Sequence, residues 1–182
     1  MRANRYRHAA GPRRLGAELA TVRESFDFVI APVGGGGLTS GIIKGLQAAG
    51  SLTRVVGAEP LAGNDAARSL RAGHIVINDT EPQTIADGAR TVSVGQHNWA
   101  ILKEGLAGIV GVPDEKIAEG VRLLFGLANL KAEPTGALGI GALLTDTARF
   151  RDARVCSVIS GGNVDAEVYR AILASCTQTR LG

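Results

Sequence analysis

The sequence predicts an α/β domain built on a doubly wound, mostly parallel β-sheet. Short runs rich in Val and Ile alternate with longer amphipathic segments, as in folds where strands and helices take turns along the chain. The apolar runs are continuous, which is typical of strands that are buried on both faces. Two of the runs end in glycine-rich turns, "VGGGGLTSG" and "ISGGN". In open parallel sheets, ligands bind where such turns meet.

The apolar runs predict strands at residues 26–33, 54–59, 107–112 and 154–160. Periodic segments predict helices at residues 15–24, 39–49, 64–72, 97–105, 114–130, 135–147 and 165–175. The fifth helix opens with Pro113 and two acidic residues, which favour a helix start. Asp165 is placed to cap the last helix. Residues 74–91 have no clear period, and we expect an irregular excursion there.

Length and charge divide the chain into three parts. Five arginines precede the first acidic residue and exceed the net charge of +3, so the basic balance comes from the N-terminus. We expect a disordered basic leader at residues 1–14, one domain at 15–176 and a tail at 177–182. No apolar run is long enough to span a membrane, and no motif indicates a nucleic-acid partner. With two cysteines and no disulfide framework, we expect a cytoplasmic protein.

Four successive glycines, residues 34–37, follow the first predicted strand. Bare backbone at the start of a helix presents N–H groups and a partial positive charge, which suits a phosphate. A plain tight turn needs only one or two glycines. The spacing fits neither the dinucleotide fingerprint nor the Walker pattern. The residues favour a phosphate site of another type and leave a plain turn open.

A second glycine-rich loop closes the last predicted strand. Ser160 stands at the strand end, and Gly161 and Gly162 follow it. In a parallel sheet both loops lie at the same edge. Two glycine-lined loops with a hydroxyl between them suit a flat phosphorylated cofactor better than a nucleotide.

Five segments now resemble one known family: "VGGGGLTSGI", "GAEP", "TIADG", "EPTGALGIGAL" and "SGGNVD". In this order they resemble the fold-type II pyridoxal-phosphate (PLP) enzymes, in the subgroup of threonine/serine dehydratases (ammonia-lyases) and serine racemase. The resemblance covers nearly all of this chain but only about the C-terminal half of the family's. It implies an incomplete large-domain portion of the tryptophan synthase β-like PLP fold.

The resemblance implies that seven residues bind the cofactor: Gly34, Gly35, Gly36, Gly37, Leu38, Ser160 and Gly161. The glycines would bind the phosphate and Ser160 would face the pyridine nitrogen. A neutral hydroxyl there makes the ring a weaker electron sink, which suits β-elimination. Glu133 would be an accessory group near the ring. Its alternative role is to cap the helix start beside Pro134.

The segment "GAEPLAGND" is similar to the cation site of the racemase-like members. The resemblance implies that Glu59, the carbonyl of Gly63 and Asp65 hold a divalent cation. Oxygen ligands suit Mg²⁺ or Ca²⁺. The alternative is that Glu59 ends a strand and Asp65 caps a helix.

The family's chemistry requires a lysine that forms a Schiff base with the cofactor. In the family it lies before the glycine loop, in a Ser-x-Lys-x-Arg-Gly context. The lysines of this chain all follow the loop and lack that context: Lys44, Lys103, Lys116 and Lys131. We therefore expect no catalytic residue here beyond Glu133 as an accessory, and no activity of this chain alone. A truncated gene or a shifted upstream reading frame would explain this.

The sequence thus predicts the PLP-binding portion of a serine/threonine dehydratase-like enzyme of the ammonia-lyase/racemase class. Its small-molecule partner would be an amino acid of the L-serine/L-threonine class. We expect association as a homodimer or with a missing N-terminal half. Two alternatives stay open. One is a vestigial PLP-binding module or half of a split enzyme. The other is an α/β protein that binds a nucleotide or a phosphosugar.

Overall fold

A computed structural model describes residues 7–23 and 25–175. The described strands form one four-stranded sheet: Phe28–Pro32 (β1), Arg54–Pro60 (β2), Leu106–Val112 (β3) and Val155–Ser157 (β4). The described helices are Arg7–Ala20 (α1), Gly37–Ala48 (α2), Asp65–Ala72 (α3), Gln96–Gly105 (α4), Asp114–Ala128 (α5), Pro134–Thr145 (α6) and Ala166–Ala174 (α7). The α/β class with a parallel sheet is confirmed.

The sheet has the strand order β3-β2-β1-β4, and all pairings are parallel. In register, Phe28 lies opposite Arg54 of β2 and opposite Val155 of β4. The chain therefore moves outward from β1 to β3 and then returns to the other side of β1. This reversal places the topological switch point between β1 and β4. Ligands of doubly wound sheets bind outside the carboxyl ends of the strands at such a point.

Helices cover both faces of the sheet. Neighbouring residues of β1 show this, because Val29 packs with the α1, α2 and α4 side while Ile30 packs with the α5 and α6 side. Both side chains are 0% exposed. A strand covered on both faces needs apolar residues at every position, which explains its continuous apolar run.

Every predicted strand and helix is present within the described residues, with shifted ends. The excursion at residues 74–91 has one 3-10 turn, Asp87–Ala89, as its regular structure. The last strand ends at Ser157, where the prediction ran to residue 160. Within the described sheet β4 pairs only with β1, so fewer backbone hydrogen bonds hold its end in a ladder.

Helix α1 differs most from the prediction. We expected a disordered leader at residues 1–14 and a helix at 15–24, but residues 7–14 form the first half of α1, with Pro12 inside it. A Cβ on Gly16 would overlap the carbonyl oxygen of Ile42, and one on Gly41 would overlap Pro12. The two helices thus meet at backbone distance, and this packing outweighs the helix-breaking tendency of proline. Residues 1–6 and the predicted tail at 177–182 lie outside the described residues.

Candidate functional site

The glycine loop lies at the carboxyl end of β1, at the switch point of the sheet. Strand β1 ends at Pro32, and α2 begins at Gly37, two residues before the start at Thr39 that the sequence indicated. The buried hydroxyl of Thr39 donates to the Pro32 carbonyl over 2.8 Å and ties the helix start to the strand end. Gly37 therefore belongs both to the loop and to the first turn of α2.

Packing explains two of the four glycines. A Cβ on Gly34 would lie 3.1 Å from the Gly88 carbonyl oxygen. Gly36 has a left-handed φ of 84°, and its Cβ would lie 2.7 Å from Leu102 Cδ1. By contrast, a Cβ on Gly35 would meet nothing within 4 Å, and one on Gly37 only Asn98 Nδ2 at 4.0 Å. The space beside Gly35 and Gly37 is thus open to a group from outside the chain.

The backbone N–H groups of this loop have no acceptor in the described part of the protein. From Gly34 to Thr39, none donates a hydrogen bond to any other described residue. The first N–H groups of a helix have no intrahelical partner, and they lie at the positive end of the helix dipole. A row of such donors beside open space fits an anionic group, and the phosphate of PLP meets that requirement.

The loop after β4 lies at the same edge of the sheet. Val158 N donates to the Ile30 carbonyl over 2.9 Å, so the pairing with β1 continues just past the end of β4. Ser160 follows and is exposed. The next residue, Gly161, lies against Glu133, whose N–H donates to the Gly161 carbonyl over 3.1 Å. The structure therefore brings the Ser160–Gly161 loop and the glycine loop to neighbouring strand ends.

Glu133 precedes α6 but does not cap it. Its side chain accepts no hydrogen bond from the helix N–H groups. Instead the carboxylate lies over Gly161, where an added Cβ would be 2.5 Å from Oε1. The helix-capping role that the sequence left open is therefore wrong in this structure, and the carboxylate lies on the Ser160–Gly161 loop.

The "TIADG" segment, residues 84–88, packs against the glycine loop. Asp114, the first residue of α5, accepts from Thr84 Oγ1 (2.5 Å) and from Ile85 N (3.0 Å). Gly88 N then donates to Thr135 Oγ1 over 3.0 Å, and the Gly88 carbonyl contacts Gly34. Three of the sequence segments that carry the family resemblance therefore meet at one place.

Glu59 and Asp65 form a buried acidic pair beside α3. Glu59 is 2% exposed, and its two carboxylate oxygens accept from Ala66 N (3.0 Å) and Ala67 N (2.7 Å). Asp65 is 4% exposed, and its Oδ2 has no hydrogen-bond partner among the described residues. Gly63 is also buried. Glu59 thus does accept from the start of α3, and Asp65 presents an oxygen that this part of the protein does not satisfy.

Burial dominates the electrostatics of this pair. It raises the pKa of Glu59 to about 7, against the lowering effect of the N–H groups of Ala67 and Ala66, and the charge of Asp65 adds to the rise. Burial also raises the pKa of Asp65. Within residues 7–23 and 25–175 no three His, Cys, Asp or Glu side chains are grouped to hold a metal ion. A cation here would therefore need carbonyl or water oxygens besides the two carboxylates.

The lysine side chains are engaged away from the two loops, although the backbone carbonyl of Lys131 packs against Gly162 of the second loop. Lys44 is exposed and donates to Gln47, and Lys116 pairs with Glu119 at 2.8 Å. Lys131 lies 5.8 Å from the centroid of the Tyr169 ring. Lys103 is exposed on α4. Each of these environments is that of a surface residue.

One residue at the site was not predicted from the sequence. Asn98 of α4 donates from Nδ2 to the Gly35 carbonyl over 2.6 Å, although the two residues are 63 positions apart. Its position four residues before Leu102 puts both side chains on one face of α4, and both contact Gly36. A polar residue on the packed face of that helix was the available clue.

None of the helices in the described ranges has the length and apolar character needed to cross a lipid bilayer. The chain is 38% identical to an L-threo-3-hydroxyaspartate ammonia-lyase of Pseudomonas sp, over 90% of this chain and 51% of that protein. It is 38% identical to a serine racemase of Schizosaccharomyces pombe, over 81% of this chain and 46% of that one. The chain spans about half the length of the curated relatives it matches.

The fold is also similar to that of a solved structure. The structure superposes on the crystal structure of a threonine deaminase from T.th. with a TM-score of 0.80 and 40% identity, covering 87% of this chain and 51% of that one. The sequence profile of the family described as "Pyridoxal-phosphate dependent enzyme" matches residues 2–161. With its glycine loop and Ser160 loop at one switch point, the chain belongs to the pyridoxal-phosphate dependent enzymes.

Proposed function

We propose that this chain is the phosphate-binding half of a PLP-dependent ammonia-lyase or racemase. One observation carries the proposal. A side chain at Gly35 or Gly37 would not collide with any described atom, yet both positions are glycine. The N–H groups of the loop also have no acceptor among the described residues. A phosphate approaching this loop would receive several N–H hydrogen bonds at the positive end of α2.

The substrate class is proposed from the relatives' names. Hydroxyaspartate, threonine and serine are all amino acids with a hydroxyl group on the β-carbon. We infer that the complete protein acts on an amino acid of the L-serine/L-threonine class.

Cys156 is a free thiol, which is consistent with a cytoplasmic location.

Each site residue then has a defined task. When bound, PLP supplies an electron sink for the α-carbon of the amino acid. The N–H groups of Gly34–Gly37 and Leu38 would hold the phosphate of the cofactor. Ser160 would present a neutral hydroxyl to the ring nitrogen, and a hydroxyl cannot stabilise a protonated nitrogen as a carboxylate does. Glu133 lies beside Gly161, where its carboxylate can accept or hold a proton near the cofactor.

The chain alone is proposed to be inactive. Its lysines are exposed or engaged with other surface groups, and none lies before the glycine loop. A second polypeptide that supplies the rest of the site, or a longer form of this chain, would restore turnover. A homodimer is the proposed assembly of the complete protein.

The acidic pair is proposed to bind Mg²⁺ or Ca²⁺ through Glu59, the Gly63 carbonyl and Asp65. The buried Asp65 Oδ2 without a partner in the described ranges supports this, since a cation would satisfy it. Two neighbouring buried carboxylates are stabilised most simply by a positive charge between them. The ion would be structural, because it would join the end of β2 to the start of α3.

Cofactor binding is tested with the purified chain by equilibrium dialysis against PLP and against pyridoxal, which lacks the phosphate. We expect PLP to bind and pyridoxal to bind far more weakly. Equal retention of the two would refute the phosphate site. Tight nucleotide binding with no effect of PLP on the melting temperature would favour the nucleotide alternative. A visible absorption band that survives dialysis and disappears on borohydride reduction would reveal a covalent link to a lysine and overturn the proposed inactivity.

The cation is tested by thermal melting with millimolar Mg²⁺ or Ca²⁺ and after chelation. We expect the cation to raise the melting temperature of the wild-type chain and to have no effect on Asp65→Asn. Asp79→Asn is the matched control, because Asp79 is an exposed acid outside the pair. A rise that survives in Asp65→Asn would place the cation elsewhere.

A further inference from the structure

The start of α4 holds the glycine loop by a polar contact. The Gly35 carbonyl oxygen accepts two hydrogen bonds, from Gly95 N at 3.0 Å and from Asn98 Nδ2 at 2.6 Å. Gly95 is the residue before α4, and Asn98 lies in its first turn. Because a carbonyl oxygen can only accept, the Asn98 amide must turn its NH₂ group toward Gly35. Its Oδ1 then lies 3.1 Å from Ser40 Oγ.

These contacts fix the direction of the neighbouring N–H groups. In a planar trans peptide the C=O and N–H bonds point in opposite directions. Holding the Gly35 carbonyl against α4 therefore turns the N–H of Gly36 away from α4. The Gly36 carbonyl is held in the same way by Ser40 N (3.0 Å) and Ser40 Oγ (2.7 Å), which turns the N–H of Gly37 away from Ser40. Both N–H groups belong to the row that has no acceptor among the described residues.

Apolar packing cannot make this choice. Leu102 contacts the Cα side of Gly36, but a hydrocarbon surface does not distinguish a carbonyl from an N–H. Glycine peptides rotate with little steric resistance, so the Gly35–Gly36 peptide could present its carbonyl to an incoming anion. That orientation would leave the Asn98 NH₂ group without its acceptor, at a cost in free energy. The carboxamide thus adds to the Gly95 N–H in selecting the orientation that binds an anion.

We propose that Asn98 is a positioning residue that holds the Gly35–Gly36 peptide so that the Gly36 N–H faces the cofactor phosphate. This inference rests on the proposed function, since it assumes that the loop binds the phosphate of PLP. In this proposal Asn98 acts through the loop backbone and is not itself a ligand of the cofactor. Its effect is expected on the phosphate and not on the pyridine ring.

The test compares the affinities of wild type, Asn98→Ala and His97→Ala for PLP, for pyridoxal and for inorganic phosphate. His97 is exposed and precedes Asn98 on the same helix, so it controls for changes in α4. We expect Asn98→Ala to bind PLP and phosphate roughly three- to tenfold more weakly and pyridoxal with unchanged affinity. His97→Ala should match the wild type. If Asn98→Ala does not fold, Asn98→Ser is measured in its place.

The outcomes separate the two proposals. Failure of the wild-type chain to prefer PLP over pyridoxal refutes the proposed function. If the wild type does prefer PLP and Asn98→Ala keeps the same preference, the positioning role is refuted. A variant that loses affinity for PLP and pyridoxal equally, with a lower melting temperature, shows a merely structural role and also refutes it.

Discussion

Alanine at Gly35 and alanine at Gly36 are expected to act in opposite directions, although the two residues are adjacent. Gly36 has a φ of 84°, and its Cβ would lie 2.7 Å from Leu102 Cδ1. Gly35 lies outside the left-handed region and has open space where its Cβ would be. If the loop lacks side chains in order to bind a ligand, Gly35→Ala should leave the fold intact and weaken ligand binding. Gly36→Ala should instead lower the stability of the fold itself.

The expected magnitudes follow from these geometries. Gly35→Ala removes backbone freedom from the unfolded chain and should raise the free energy of unfolding by about 0.4–1 kcal/mol. A left-handed alanine costs roughly 1–2 kcal/mol, so Gly36→Ala should lower it by at least that amount, and the contact with Leu102 adds to the loss. For a chain of this size, 1 kcal/mol changes the melting temperature by about 2–4 °C. The two variants should therefore melt on opposite sides of the wild type.

The assay is thermal melting of wild type and both variants, without ligand and with saturating PLP. A ligand at 100 times its Kd stabilises a protein by about 2.7 kcal/mol, and this increment should be present in the wild type and strongly reduced in Gly35→Ala. Two results would refute the reasoning. One is a Gly35→Ala variant that keeps the full PLP increment. The other is a Gly36→Ala variant as stable as the wild type.

Three further predictions concern the rest of the fold. Asp165→Ala removes the acceptor of two N–H groups at the start of α7, at 2.8 and 3.2 Å, and should lower the free energy of unfolding by about 1 kcal/mol in urea melts. Asp165→Asn should restore most of it, and a wild-type midpoint for the alanine variant would contradict the cap. Leu138→Ala empties a fully buried position and should cost about 2–5 kcal/mol, whereas the exposed Leu127→Ala should cost far less. Equal losses in the two leucine variants would contradict this. Burial raises the pKa of the Cys156 thiol, so less thiolate is present at neutral pH. In a Cys176→Ser background its reaction with an aromatic disulfide should be slower than that of a free thiol and should still accelerate as the pH rises into the alkaline range; a rate equal to that of a free thiol at neutral pH would contradict this.

Much of the fold could be predicted because its signals are local. A strand with both faces covered must be apolar throughout, so the run that contains Val29 and Ile30 was recognisable. Asp165 has the chemistry of a helix cap and is one. The start of α1 could not be predicted, because Pro12 reads locally as a helix breaker and only its contact with Gly41 on α2 shows otherwise.

The candidate site divides in the same way. The glycine loop was visible as four adjacent glycines, but their separate reasons were not. Gly34 and Gly36 are required by contacts from Gly88 and Leu102, which lie far away along the chain. Asn98 was missed because its partner is equally distant in sequence. Long-range contacts of single side chains leave no periodic pattern in a sequence, so only the folded chain shows them.

The contact between α1 and α2 has a mechanical consequence. Gly16 and Gly45 let the two helices touch backbone to backbone, and Gly41 makes room for the rigid ring of Pro12, so few flexible side chains lie between the helices at this contact. Helices α1 and α2 should therefore move together as one rigid body. The glycine loop leads directly into α2, because Gly37 is the first residue of that helix. A displacement of α1 would therefore also displace the glycine loop. In a helix pair separated by flexible side chains, rearrangement of those side chains would accommodate the displacement instead. The N-terminal helix, which contributes nothing to the site directly, is thus part of what keeps the loop in register with the end of β1.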